Sequence, residues 1–121
     1  AENKLADMST EFAIQILKLT GTSKALFSFN QLERSGTSIG ANIHEANYAH
    51  SKIDFISKLQ IALKECYETE YWLELLYESD YMCKSEFDSI YGDCEELMNM
   101  IVASTKTLQG KNNSYLLSSN S

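Results

Sequence analysis

Apolar residues recur along most of this chain at steps of three and four, the spacing that lays them on one face of an α-helix. Leu5, Met8, Phe12, Ile16 and Leu19 keep that step and predict a first helix over 3–20, with Gly21 behind it as a stop. Thr22 and Ser23 then offer an N-cap. Ala25, Phe29, Leu32, Gly36, Ile39, Ile43 and Ala46 hold a heptad register that predicts a second helix over 24–48. A third is predicted over 51–79, capped by Ser51, with Asp54 near the positive end of the helix dipole. Its seam is Phe55, Leu59, Ala62, Cys66, Thr69, Leu73 and Leu76. A fourth, over 85–108, turns Phe87, Ile90, Cys94, Leu97, Ile101 and Leu108 inward and ends at Gly110. Four such helices on short links predict an all-α, up-and-down four-helix bundle over 1–110. The Asn- and Ser-rich stretch 111–121 is expected to be disordered, with Tyr115, Leu116 and Leu117 able to dock locally.

Two departures from the simple stripe carry information. Gly36 and Gly40 lie inside the second helix, where each costs about 1 kcal/mol relative to Ala. Four residues apart, they share a face and remove its bulk, which predicts a close approach of another helix at both positions. The second departure is Tyr71-Trp72-Leu73-Glu74-Leu75-Leu76-Tyr77, apolar nearly all round the third helix. A bundle helix buries one stripe, so Tyr71, Trp72, Leu75 and Tyr77 are expected to meet a second copy of the chain.

Composition narrows the class without changing the fold. The chain has 121 residues, no Pro and five Gly, a length for one core and few helix breakers. Cys66, Cys83 and Cys94 form no CxxC pair and are expected to be buried reduced thiols. The first ten residues are polar and show no export signal, and no apolar run is long enough to span a membrane. A cytoplasmic protein is expected.

Charge is unevenly placed. Residues 1–64 carry seven Lys or Arg against six Asp or Glu, whereas 65–96 carry eleven acidic residues against Lys84 alone, a local net of -10. A phosphate backbone would be repelled there, so nucleic acid is a disfavoured partner on charge grounds.

Candidate chemistry is sparse. Arg34, Ser38, Asn42 and Glu45 step down the second helix, and Glu65 and Glu68 face them from the third. As a satisfied polar network these six would fix helix register, and as a pocket they would hold a small molecule or metal; the network is the simpler reading. Carboxylate-bridged metal sites in bundles need Glu-x-x-His motifs, and neither His44 nor His50 stands three residues after a carboxylate. Ser38 and His44 lack the strained nucleophile turn and oxyanion hole of a hydrolase. No catalytic residue, cofactor or metal is expected.

The run Gln31-Leu32-Glu33-Arg34-Ser35-Gly36-Thr37-Ser38-Ile39-Gly40-Ala41-Asn42-Ile43-His44-Glu45-Ala46 then permits a comparison, together with Phe55 to Glu65 and Glu68 to Leu76. It resembles the bacterial four-helix bundle family whose members are encoded in intervening sequences of large-subunit ribosomal RNA genes. The family's pattern fits at Arg34, Ser35, Ser38, Ile39, Asn42, Ile43, Glu45, Phe55, Leu59, Ile61 and Ala62; His44 and Ala46 depart from the usual Ala and Gly. The resemblance implies a ring-shaped homopentamer, as in the similarly folded accessory variability protein of diversity-generating retroelements. That relative is basic and binds nucleic acid, whereas this chain is acidic. Two functions are therefore expected as alternatives: a non-enzymatic homo-oligomeric scaffold or adaptor for another protein, or an RNA-associated protein.

Overall fold

The computed structural model describes the backbone of residues 2–20 and 26–120, and their side chains except those of 2, 3, 14, 17–20 and 109–120. Four helices follow in order: α1 (Glu2–Thr20), α2 (Leu26–Asn47), α3 (Lys52–Glu78) and α4 (Lys84–Asn120). The expected Gly21 stop and the Thr22 and Ser23 caps lie outside the described residues, as does the Leu19 side chain.

The described ends have local causes. Ser51 is extended and its hydroxyl accepts from the Asp54 N–H at 3.0 Å, satisfying a donor that the first turn leaves open. At the other end of α3, Asp80 takes a left-handed backbone with φ 65°. The Asp80 N–H then reaches the Tyr77 carbonyl at 3.1 Å and the Tyr81 N–H the Leu76 carbonyl at 2.9 Å, the paired bonds of a Schellman cap. Before α4, the Cys83 N–H donates to Glu86 Oε1 at 3.2 Å, one half of a capping box. The expected end of α4 at Gly110 is not observed, because the helix continues to Asn120. A lone Gly costs a helix about 1 kcal/mol, and no Pro follows to break it. The side chains beyond Leu108 lie outside the described residues, and with them the expectation of disorder at 111–121.

Each helix packs on its two neighbours. α2 and α3 share the longest contact, α1 lies against α2 and α3 against α4, and α1 with α4 closes the bundle. The interior is Leu5, Phe12 and Ile16 of α1, Phe29, Leu32, Ile39, Ile43 and Ala46 of α2, Leu59, Ala62, Cys66, Leu73 and Leu76 of α3, and Ile90, Cys94, Leu97 and Ile101 of α4. Each large apolar side chain so buried contributes about 1.5–3 kcal/mol. Within this interior Thr69 Oγ1 lies 2.9 Å from Ser35 Oγ and 2.8 Å from the Glu65 carbonyl oxygen, pairing two fully buried hydroxyls across α2 and α3.

Gly36 and Gly40 lie in unbroken helix and face α1. A Cβ at Gly36 would stand 2.9 Å from Ile16 Cγ1, whereas one at Gly40 would meet Ser9 at an ordinary 3.6 Å. The close contact expected at both positions is thus tight at Gly36 and relaxed at Gly40, because Ser9 is the smaller neighbour. Cys83 also departs from expectation. It lies in the exposed α3–α4 turn, while Cys66 and Cys94 are buried.

Candidate interaction surface

The α2–α3 seam places Arg34 opposite Glu65 and Glu68, one helix turn apart on α3. Its guanidinium bonds Glu65 Oε2 through Nη1 at 3.3 Å, Glu68 Oε1 through Nη2, and Gln31 Oε1 through Nε at 3.3 Å. The hydrogen bond to Glu68 holds the Arg34 guanidinium above its usual pKa, and the same bond holds the Glu68 carboxyl below the ordinary carboxylate range. Trp72 Nε1–H also donates to Glu68 Oε1, at 3.5 Å.

The expected six-residue buried network divides into three parts. Arg34 is 46% exposed, so its cluster is a surface one in the single chain. Glu45 turns instead to Lys58, at 3.2 Å. Asn42 Nδ2 donates to the Ser38 carbonyl oxygen one turn earlier at 2.9 Å, a bond within α2. The division follows from helix length: Glu45 lies three turns below Arg34, beyond the reach of a side chain. The interior polar pair across these helices is Ser35 with Thr69. Ser35 stands next to Arg34 in sequence and carried no pattern that separates a buried hydroxyl from a surface one.

Beside the Arg34 cluster lies an apolar patch. The Trp72 ring meets Phe27 edge-on with centroids 6.0 Å apart, and Tyr71 edge-on at 4.9 Å. Leu26 (67%), Phe27 (69%) and Tyr71 (57%) are largely exposed, and Leu75 is open beside them. Ile53 and Ile61 are also exposed along α3, so apolar groups run down its outer side. Tyr77, expected in this group, is not part of it. It stacks on Phe87 at 4.4 Å, because one step past the core residue Leu76 it faces α4. Leu26 and Phe27 were legible only as excess: with Phe29 they make three apolar residues in four, and one helix face cannot take them all.

The opposite border of α3 is acidic. Glu70 and Glu74 face α4 near Tyr91 and Glu95, and the Tyr91 hydroxyl donates to Glu74 Oε1 at 2.8 Å. That bond and partial burial push the Tyr91 hydroxyl well above its usual pKa. Burial, then Glu95 and Glu74, raise the Glu70 carboxyl. Among the described residues no cation pairs with Glu70, Glu74 or Glu95; the ion pair on this side is Lys84 with Asp88, at 2.7 Å.

The remaining candidates offer little chemistry. Cys94 Sγ approaches the Cys66 carbonyl oxygen at 3.5 Å, and that neighbour together with burial pushes its thiol far up, against forming a thiolate. His44 is exposed, its ring tilted on Tyr48 at 5.2 Å. Among the described residues no three His, Cys, Asp or Glu side chains are grouped to hold a metal ion, and no helix is long and apolar enough to cross a membrane.

Comparison with known proteins agrees with this architecture. A solved structure from Bacteroides thetaiotaomicron, described as a protein with unknown function from the S23 ribosomal protein family, is 45% identical. The match covers 84% of this chain and 98% of that one, with a TM-score of 0.81. No curated protein matches the chain. The model of one family, described as 23S rRNA-intervening sequence protein, matches residues 1–103. Neither description names a catalytic activity. An all-helical bundle with Arg34 clasped to α3, matched over most of its length, belongs to the 23S rRNA-intervening sequence protein family.

Proposed function

We propose that this protein is a non-enzymatic scaffold or adaptor that works as a homo-oligomer, a ring of five copies on the family resemblance. The exposed side chains of Leu26, Phe27, Tyr71 and Leu75 around half-buried Trp72 carry this reading. Leaving such side chains wet forfeits about 1.5–3 kcal/mol for each that could be fully buried, and a second copy covers them. A ring repeats one head-to-tail contact about its axis, so the same patch serves every subunit. Light scattering at micromolar concentration is the test. A mass several times that of one chain is expected, and Leu75→Glu should return it to monomer with an unchanged helical spectrum. A wild-type monomer at low and high salt would refute the assembly.

The family's tie to ribosomal RNA genes favours a second reading, RNA association in the cytoplasm. The carboxylates of α3 and α4 oppose it, since phosphate contacts require cationic side chains. An electrophoretic shift with ribosomal RNA fragments separates the two: a complex that weakens steeply with salt would favour RNA.

A further inference from the structure

We propose that the α3–α4 face on the Glu70 side docks a cationic amphipathic helix of a partner protein. The proposal rests on the scaffold reading and supplies the chemistry of its partner. Three observations meet on this face. Tyr67 is exposed on α3 at the border of the carboxylates, so the surface has an apolar edge as well as charge. Glu74 and Glu95 lie near Glu70 across the two helices, around a Tyr91 hydroxyl that donates to Glu74 Oε1 at 2.8 Å, and burial first, then these two neighbours, raises the Glu70 carboxyl. Gly92 stands exposed on α4 one turn before Glu95, with no atom of the described residues within 4 Å of where its Cβ would be.

Gly92 is unlike Gly36, whose missing side chain makes room for Ile16 within the chain. Among the described residues no neighbour uses the space above Gly92, yet a Gly in mid-helix sacrifices stability. An approaching helix would use that space. Its charge follows from the border: carboxylates that repel one another without an ion-pair partner, in a segment of net -10, favour Lys and Arg and reject phosphate. Its apolar side follows from Tyr67. A helix lying in a groove with apolar anchors and a basic flank meets both demands.

The Trp72 and Phe27 side of the self-association patch lies on the other border of α3, toward α2. A copy of this protein is a poor occupant of the acidic face, because its own α3–α4 segment is acidic and the rest of the chain is nearly neutral.

Isothermal titration of the full chain with an eighteen-residue helical peptide of Leu and Lys tests the idea, with a Leu and Glu peptide of equal length as control. Saturable binding of the cationic peptide alone is expected, one per chain. Glu74→Gln/Glu95→Gln should weaken it roughly tenfold, since close opposite charges supply much of such binding. Asp7→Asn/Glu11→Gln, an equal charge change on α1, should leave it unchanged. Gly92→Gln, which fills open space and favours helix, should weaken it with the fold intact. Equal losses from both charge variants, binding of both peptides, or no binding would overturn the docking surface. Light scattering on the same samples reports self-association independently, so a monomer that binds peptide refutes the ring alone, and an oligomer that ignores peptide refutes this proposal alone.

Discussion

Three glycines in helix interiors show how one residue type serves different ends. Replacing Gly by Ala in a helix gains about 1 kcal/mol when the methyl group has room. At Gly36 the methyl would lie 2.9 Å from buried Ile16, and overpacking costs about 1–3 kcal/mol, so Gly36→Ala should lower the melting temperature. Gly40→Ala, at ordinary contact with Ser9, and Gly92→Ala, in open space, should raise it. Thermal melts of the three variants check the signs, and stabilisation by Gly36→Ala would disprove the tight crossing. Glu70 gives a pH dependence. Its carboxyl titrates above its unfolded value, so the folded chain binds this proton more tightly. Stability should therefore rise as pH falls through the raised range and be lost as pH rises through it. Glu68 acts oppositely, its contribution being lost only as pH falls through a lowered value. The two effects fall on opposite sides of the usual carboxylate range, so Glu70→Gln should flatten melting temperature against pH just above that range.

Elements were legible where burial repeats with the helix. The heptad residues of α2 from Phe29 to Ala46 and the seam of α3 from Leu59 to Leu76 are buried as their spacing predicts, because one side chain per turn faces each neighbour; Ala25 lies outside the described residues. Side-chain partners were less legible. Glu45 shares a face with Arg34, yet it pairs with Lys58, because reach between helices depends on height along the bundle. Tyr77 and Trp72 are both aromatic and five residues apart, but one faces α4 and the other α2. The α2–α3 clasp yields a measurement: Arg34→Met should cost no more than about 1 kcal/mol in a monomer, since partly exposed ion pairs contribute little. A loss of about 3–5 kcal/mol, the cost of stranding a buried carboxylate, would mean that assembly encloses the cluster. Urea melts at two protein concentrations distinguish these results.

At the scale of the molecule, the α3–α4 turn gathers Glu78, Asp80, Glu86 and Asp88 at one end of the bundle, all exposed. A ring of parallel subunits would bring several such ends together, and their repulsion is screened over about 10 Å at 0.1 M salt. Assembly should strengthen with added salt, which sedimentation at increasing ionic strength measures; weakening would place the subunit contact on charge instead. Trp72 has a different use. It is the chain's one tryptophan, and it sits in the patch between Phe27, Tyr71 and Glu68. In the proposed ring its ultraviolet fluorescence would therefore be a built-in gauge of subunit coverage. Dilution below the dissociation range should move the emission to longer wavelength and open the indole to acrylamide quenching, without any label attached to the protein.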